Sequence, residues 1–504
     1  MSKSHHSAIH FKNILSSFDV VPNTFVNNKK KNISTDSVSL EKIDENAVSS
    51  KLIIDKIIES FSIPNCQAIY FNMYEMENDI VQEEEVNKKV VDLNRLSETL
   101  ETYKSILGQL TTKAKMTNPR KDVEQILKYI RSEVNNCCTE DFVVIDPRFL
   151  IHSRCNIKLY ELNQIVKKKI LNGYYPVILD LCGGPGAFSA EICRRCPNST
   201  VVGVTLRTDN GCTSDWATTV CDYDKKIKYM NNFLYFGSSK VNGDITHPLF
   251  FEEFDSFMNQ SCEFKFSDLV ISDGAHDFKH SQEIENVLLI LSEVLIALKY
   301  LSYHGTFILK TFSYTTRIMQ DLLSWCSVLF TSTQIVKLKS SRISNSEFYF
   351  IFDRFVINNS PQITDKSKSI YLLYNDFVCL LESLRNKYMA LKDDPELSRK
   401  INLEQLTIPN AKKNYTFLDI ALNFLKDNLN IQQKAILHMR LKFARSFGLE
   451  DPLPADVRYL SQEEMDTVNQ LEIIDKFRDA VTKKRRSDTA FLLQQIGLKV
   501  RQKY

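Results

Sequence analysis

The chain is 504 residues long, 43% hydrophobic and 25% charged, an ordinary globular balance with room for roughly two to four domains. Its 64 Lys and Arg against 62 Asp and Glu leave a formal charge of +2, so no chain-wide field attracts nucleic acid and any nucleic-acid partner must be held by a local basic patch. The longest apolar run, around Val287 to Leu298, is broken by Ser292 and Glu293 and is too short to cross a bilayer; an amphipathic core helix is expected there, and no membrane partner.

In chain order, residues 1–48 are rich in Ser, Asn and Lys without a sustained period, and are expected to be a disordered basic tail. Residues 49–144, with "KLIIDKIIESF" and "DVEQILKYIRSEV", space their apolar positions three to four apart and predict a helical accessory segment. Across 145–357 the texture changes to short Val/Ile-rich runs, "YPVILDL", "TVVGVTL", "SDLVISD", "GTFILKTF" and "EFYFIFDRF", separated by helical stretches. Strands alternating with helices predict an α/β domain with a mostly parallel sheet covered on both faces. Residues 358–504 return to helical periodicity and predict a helical C-terminal domain, ending near the basic run "TKKRRSD". That run fits a solvated face, a nuclear signal or an RNA-backbone contact.

The stretch "LDLCGGPGAFSAEI", Leu179 to Ile192, places three of the chain's 13 glycines within four positions, at 183, 184 and 186. Glycines between a strand and a helix let the backbone bend sharply and approach a ligand, and the helix that follows offers free N–H groups. Asp180 at the strand end can accept a hydrogen bond from an amine or hydroxyl. The spacing is neither the dinucleotide G-x-G-x-x-G nor a P-loop.

With its neighbours, this loop resembles the S-adenosylmethionine (SAM) loop of the FtsJ/RrmJ-type ribose 2'-O-methyltransferases. Four further stretches match in order: "HSRCNIKLYEL" with Arg154 and Lys158; "GVTLRTDNGCTSDW" followed by "VNGDITHP"; "LVISDGAH"; and "GTFILKTF" followed by "KLKSSRISNSEFYFI". The resemblance covers about 200 residues and implies a Rossmann-like SAM-dependent methyltransferase domain. It implies SAM-binding positions at Asp180, Gly183, Gly184, Pro185, Gly186, Phe188, Asp209, Asp244 and Asp273, with Asp244 near the adenine. It also implies a catalytic tetrad of Lys158, Asp273, Lys310 and Glu347.

Methyl transfer to a ribose hydroxyl is an in-line displacement in which the oxygen must lose its proton, and a free hydroxyl is a poor nucleophile near neutral pH. Lys310 is expected to take that proton, its affinity for it lowered by partial burial and by a neighbouring cation such as Lys158. Asp273 is expected to orient the Lys310 amine, and Glu347 to position Lys158 or the ribose.

The strand "GVTLRTDN", the loop "NGDITHP" and the spacing of "SSRISNSE" resemble the mRNA cap branch of the family, in eukaryotes and large viruses. The expected partner is therefore capped mRNA. Two alternatives stay open: a ribosomal or transfer RNA ribose methyltransferase, and a silent methyltransferase fold serving as an RNA-binding scaffold. "CRRC" at Cys193–Cys196 lacks a partner pair at zinc-finger spacing, and no metal is expected. The 12 scattered cysteines, without a secretory leader, predict reduced thiols in an intracellular protein, in the nucleus, or in the cytoplasm if the chain is viral.

Overall fold

The computed structural model describes residues 69–72, 83–119, 121–134, 154–207, 216, 227, 230–261, 266–275, 282–338, 340–357, 365–393 and 414–449. In chain order the elements are β1 (Ile69–Asn72), α1 (Glu83–Thr117), α2 (Val123–Val134), α3 (Arg154–Ile165), β2 (Val177–Leu181), α4 (Ala187–Arg195), β3 (Thr200–Val204), β4 (Phe233–Tyr235), α5 (Phe250–Ser261), β5 (Ser267–Ser272), α6 (Gln282–Glu285), α7 (Val287–Tyr300), β6 (Leu301–Phe312), α8 (Arg317–Val328), β7 (Phe330–Val336), β8 (Glu347–Phe355), α9 (Asp365–Asp393) and α10 (Tyr415–Phe447). The described residues fall into two compact units. The first draws on Met1–Val90, Val143–Lys339 and Glu347–Leu425, the second on Val91–Phe142, Ser340–Ser346 and Lys426–Tyr504.

The first unit holds an eight-stranded sheet in the order β1-β7-β8-β6-β5-β2-β3-β4. The run from β4 to β6 is parallel, while β8, β7 and β1 add antiparallel pairings at the other side. Strand β2, "VILDL", is buried at every position, the signature of a central strand covered on both faces. From β2 the chain winds outward to β3 and β4, then returns to the other side through β5 and β6. The crevice at the C-terminal ends of β2 and β5 is thus the topological switch point, where α/β sheets bind ligands.

Two expectations change in the structure. Residues 49–144 were expected to be helical, yet Ile69–Asn72 forms an edge strand against β7. Four residues are too few for a helical period to show or fail. The run Val287–Leu298 is indeed a helix, but it is buried on nearly every side, Ser292 and Glu293 included. The sheet covers one flank through β5 and β6, and α9 covers another. An all-round buried helix has no polar face, so its two polar residues must find partners inside. Ser292 Oγ donates to the Leu288 carbonyl and Glu293 Oε1 accepts the Gly274 N–H.

Trp216 explains another constraint. Its indole is fully buried, edge-on to Phe233, and lies so close under β3 that a Cβ on Gly203 would stand 2.5 Å from it. The same ring would come within 3.2 Å of a Cβ on Gly186, so one side chain backs both β3 and the glycine-rich turn.

The described part of the second unit is built on α1, α2 and the later part of α10. Leu93, Leu100, Leu107 and Ala114 recur every seven residues along α1 and are buried, a heptad stripe. The Arg440 guanidinium lies 5.1 Å from the centre of the Tyr103 ring, and Gln432 donates to the Ser344 carbonyl at 2.9 Å. The SAM-independent expectations for residues 1–48, "KLIIDKIIESF" and "TKKRRSD" lie outside the described residues, as does Asp209.

Candidate active site

Strand register brings the site together. Ser272 pairs with Leu309 and Lys310 with Tyr349, while Phe312 pairs with Glu347. Asp273, one residue beyond β5, therefore stands beside Lys310, and Glu347 opens β8 two residues from Tyr349. Helix α3 supplies Lys158 from outside the sheet.

The four charged side chains form two buried ion pairs. Lys158 Nζ lies 2.8 Å from Glu347 Oε1 and 2.9 Å from Oε2, with both side chains no more than 10% exposed. Lys310 Nζ lies 2.9 Å from Asp273 Oδ1 and donates to the Asp273 carbonyl at 2.5 Å. Tyr349 Oη donates to the same Asp273 Oδ1 at 2.7 Å, and Lys337 Nζ donates to the Glu347 carbonyl at 2.9 Å.

These pairs set the local charge. Burial alone would strip the proton from Lys158, but Glu347, and then Asp273, outweigh it and hold the ammonium's pKa above its ordinary value. Burial would raise the Glu347 carboxyl, but Lys158 and then Lys310 pull it well below the carboxylate range. Tyr349 is held protonated by burial and by the anions Asp273 and Glu347. The Lys158 cation, neighbour to the Lys310–Asp273 pair, is compensated at contact distance by the Glu347 carboxylate.

The glycine turn lies alongside. Gly183 has no room for a side chain, since a Cβ would stand 2.4 Å from Asp180 Oδ2. Gly186 has φ +104°, a left-handed conformation that glycine adopts without strain, and Gly184–Pro185 is a cis peptide. The Gly184 N–H donates to Thr205 Oγ1 and the Gly183 N–H to the Val204 carbonyl, which ties the turn to the end of β3.

Asp180 is fully buried beneath the turn, where Ser189 Oγ donates to its Oδ2. Its Oδ1 has no hydrogen-bond partner, and burial pushes the carboxyl up to about 7. Phe188, the second residue of α4, is buried in the core cluster that includes Ile178, Trp216 and Ile271.

The loop bearing Asp244 closes the third side. Gly243 has φ +71°, and a Cβ there would overlap the Thr205 carbonyl at 2.0 Å, so the loop docks directly on the end of β3. Asp244 Oδ1 accepts from the Thr246 N–H at 2.8 Å and its hydroxyl at 2.6 Å, and the carboxylate stays partly exposed. The carboxylates of Asp180 at the end of β2, beneath the glycine turn, and of Asp244 and Asp273 on loops thus surround the switch point. That acidic donor set, with an orphan oxygen at Asp180, fits a ligand carrying a sulfonium and an ammonium group.

Sequence reasoning missed Tyr349, Lys337 and Glu293. Tyr349 and Glu347 are two apart on one strand, hence on one face, and that spacing was a usable signal. Glu293 is buried on α7 with Oε1 accepting from Gly274 and Oε2 unpartnered, and burial pushes its carboxyl up to about 8. A Cβ on Gly274 would stand 2.3 Å from that carboxyl. Cys193 and Cys196 are buried free thiols whose Sγ atoms face the Asn232 and Ile170 carbonyls. Among the described residues no group of three His, Cys, Asp or Glu could hold a metal.

A sheet that is parallel across its switch point, a glycine turn over the buried Asp180 of β2 and two Lys–carboxylate pairs beside it define a SAM-dependent methyltransferase of the Rossmann-like type. Residues 151–355 match the FtsJ-like methyltransferase family model, and this stretch of the chain is an FtsJ-like methyltransferase domain. Curated relatives carry the name cap-specific mRNA (nucleoside-2'-O-)-methyltransferase. The one from Autographa californica nuclear polyhedrosis virus is 28% identical over 243 residues, 46% of this chain and 86% of the viral protein. Those from Bos taurus and Trypanosoma brucei brucei are 23% identical over 283 residues and 28% over 186. They align with 55% and 35% of this chain, which spans only 31% and 46% of their own lengths.

Proposed function

We propose that the chain is a cap-specific mRNA ribose 2'-O-methyltransferase whose catalytic domain is 145–357. The observation that carries this is the meeting of Lys158–Glu347 and Lys310–Asp273 beside the glycine turn, in a domain whose relatives bear the cap methyltransferase name. Bound SAM supplies an electrophilic methyl group. Gly183, Gly184, Pro185 and Gly186 shape the floor it would rest on, Asp180 offers an unpaired oxygen beneath, and Asp244 is assigned to the adenine side and Asp209 to the cofactor ribose.

Lys310 Nζ is aimed by the Asp273 carbonyl and carboxylate; once the ammonium has released a proton to solvent, the neutral amine accepts the proton of the 2'-hydroxyl. Tyr349 fixes that carboxylate with its own hydrogen bond. The Lys158–Glu347 pair holds a compensated charge beside the base and positions the ribose. Positioning carries much of the rate, since aligned reactants gain roughly 7–11 kcal/mol over free encounter. Base catalysis adds on the order of 10²–10⁴.

Labelled SAM incubated with matched capped and uncapped RNA tests this. Label on capped RNA alone supports it. Preferential labelling of uncapped ribosomal or transfer RNA replaces it with the broader RNA ribose methyltransferase assignment.

A further inference from the structure

Arg385 lies on α9, thirty residues beyond the end of the family match, yet it reaches back into the domain. The residue is 3% exposed and its guanidinium makes three hydrogen bonds. Nη2 donates to the His247 carbonyl at 2.6 Å and to the Ile245 carbonyl at 3.1 Å, and Nε donates to Ser292 Oγ at 3.2 Å. Two of these acceptors belong to the turn that begins at Asp244, whose carboxylate acts electrostatically on the same guanidinium. The third belongs to α7, the buried helix that packs on the sheet. The Phe251 ring, 5.1 Å from the guanidinium carbon, lies against it, and Lys299 crowns the same ring at 4.4 Å.

We propose that Arg385 is a positioning residue for the cofactor: it clamps the Asp244–His247 turn to α7, which makes α9 a structural wall of the SAM site. The inference rests on the assignment of Asp244 to the adenine side of SAM. The physical case is geometric. The Asp244 turn is held on one side by Gly243 docking on Thr205, and its far side ends in carbonyls that point into the protein. Those carbonyls need a donor, and a planar fork with several N–H groups can serve both while a third bond anchors it to a rigid helix. Without the fork the Ile245 and His247 carbonyls lose their donor from α9 and Asp244 loses a neighbouring cation.

Equilibrium SAM binding, measured by calorimetry on the full chain without RNA, tests the clamp separately from the choice of RNA. For Arg385→Ala the expected result is a SAM Kd raised about 10- to 100-fold, the loss of charge-assisted bonds. KM for SAM should rise in parallel, with kcat at saturating SAM within about threefold of wild type, the pattern of lost ground-state binding. Arg385→Lys keeps the charge but cannot fork, and should fall between the two.

Tyr374→Phe is the control for helix docking, because it removes the Tyr374–Leu298 bond at 2.9 Å, which also fastens α9 to α7 but lies away from the turn. It should lower the melting temperature and leave the SAM Kd unchanged. An Arg385→Ala Kd within about twofold of wild type overturns the clamp, as does a Tyr374→Phe Kd raised equally. Should Arg385→Ala fail to fold, Arg385→Lys and Tyr374→Phe decide by the same comparison. A wild-type chain that binds no SAM refutes the methyltransferase assignment instead.

Discussion

Replacing Glu347 with Gln keeps the shape of the side chain and removes one charge from the Lys158 pair. Lys158 is 8% exposed and meets the carboxylate at 2.8 and 2.9 Å, so the variant leaves an ammonium buried against a neutral amide. Breaking a buried pair from one side costs about 3–5 kcal/mol. Asp273 also acts on Lys158 and stays in place, which puts the expected loss near the lower end, about 3 kcal/mol. For a domain of this size that is a fall of roughly 6–12 °C in Tm.

The pH dependence follows from the directions of the two shifts. Glu347 is depressed in the folded chain, so its contribution is present above its ordinary 4.5 and disappears as pH falls through the lower folded value. Lys158 is raised, so its contribution is present below 10.5 and disappears as pH rises through the higher folded value. The difference between wild type and Glu347→Gln should therefore be flat from about pH 5 to 10 and shrink outside that window. Urea denaturation of both proteins across pH measures it. A difference within about 0.5 kcal/mol at pH 7, the range of an ordinary surface substitution, would refute the buried pair.

Lys310→Ala should abolish methyl transfer by about 10²–10⁴ in kcat while leaving SAM binding within a fewfold, as read by single-turnover kinetics beside calorimetry. Tyr349→Phe removes one bond to Asp273 Oδ1 and should lower kcat roughly tenfold or more with KM for SAM little changed; an unchanged kcat would show that the phenol plays no part in aiming Lys310. Glu293 has a raised carboxyl, so its contribution is present below 4.5 and declines as pH rises through about 8. Glu293→Gln should remove up to about 1.4 kcal/mol per pH unit of that decline, and identical pH slopes in the two proteins would contradict it. Gly183→Ala drives a methyl group to within 2.4 Å of Asp180 and should weaken SAM binding through a displaced turn, with a crystal structure to confirm the shift.

The strands with continuous Val/Ile runs were readable because burial on both faces leaves them no polar positions, as in β2. Strand β7, "FTSTQIV", was not, because three of its first five residues are hydroxyl-bearing and its buried Ser332 and Thr333 mimic a loop composition. The tetrad positions were legible through motif resemblance, each charge sitting at the end of a run. What the sequence could not show was which charges pair, since Lys158 and Glu347 are 189 residues apart and meet only because α3 brings Lys158 to the start of β8. Arg385 was invisible for the same reason. In a helical stretch beyond the matched motifs, one arginine carries no period or spacing that separates a buried fork from a solvated one.

The most direct measurement is mass spectrometry of nucleosides released from capped RNA after incubation with SAM and the full chain. A 2'-O-methyl ribose on a transcribed nucleotide beside the cap, present with wild type and lost with Lys310→Ala, is the predicted result. Methyl groups found on a base, or an equal yield from Lys310→Ala, would contradict it.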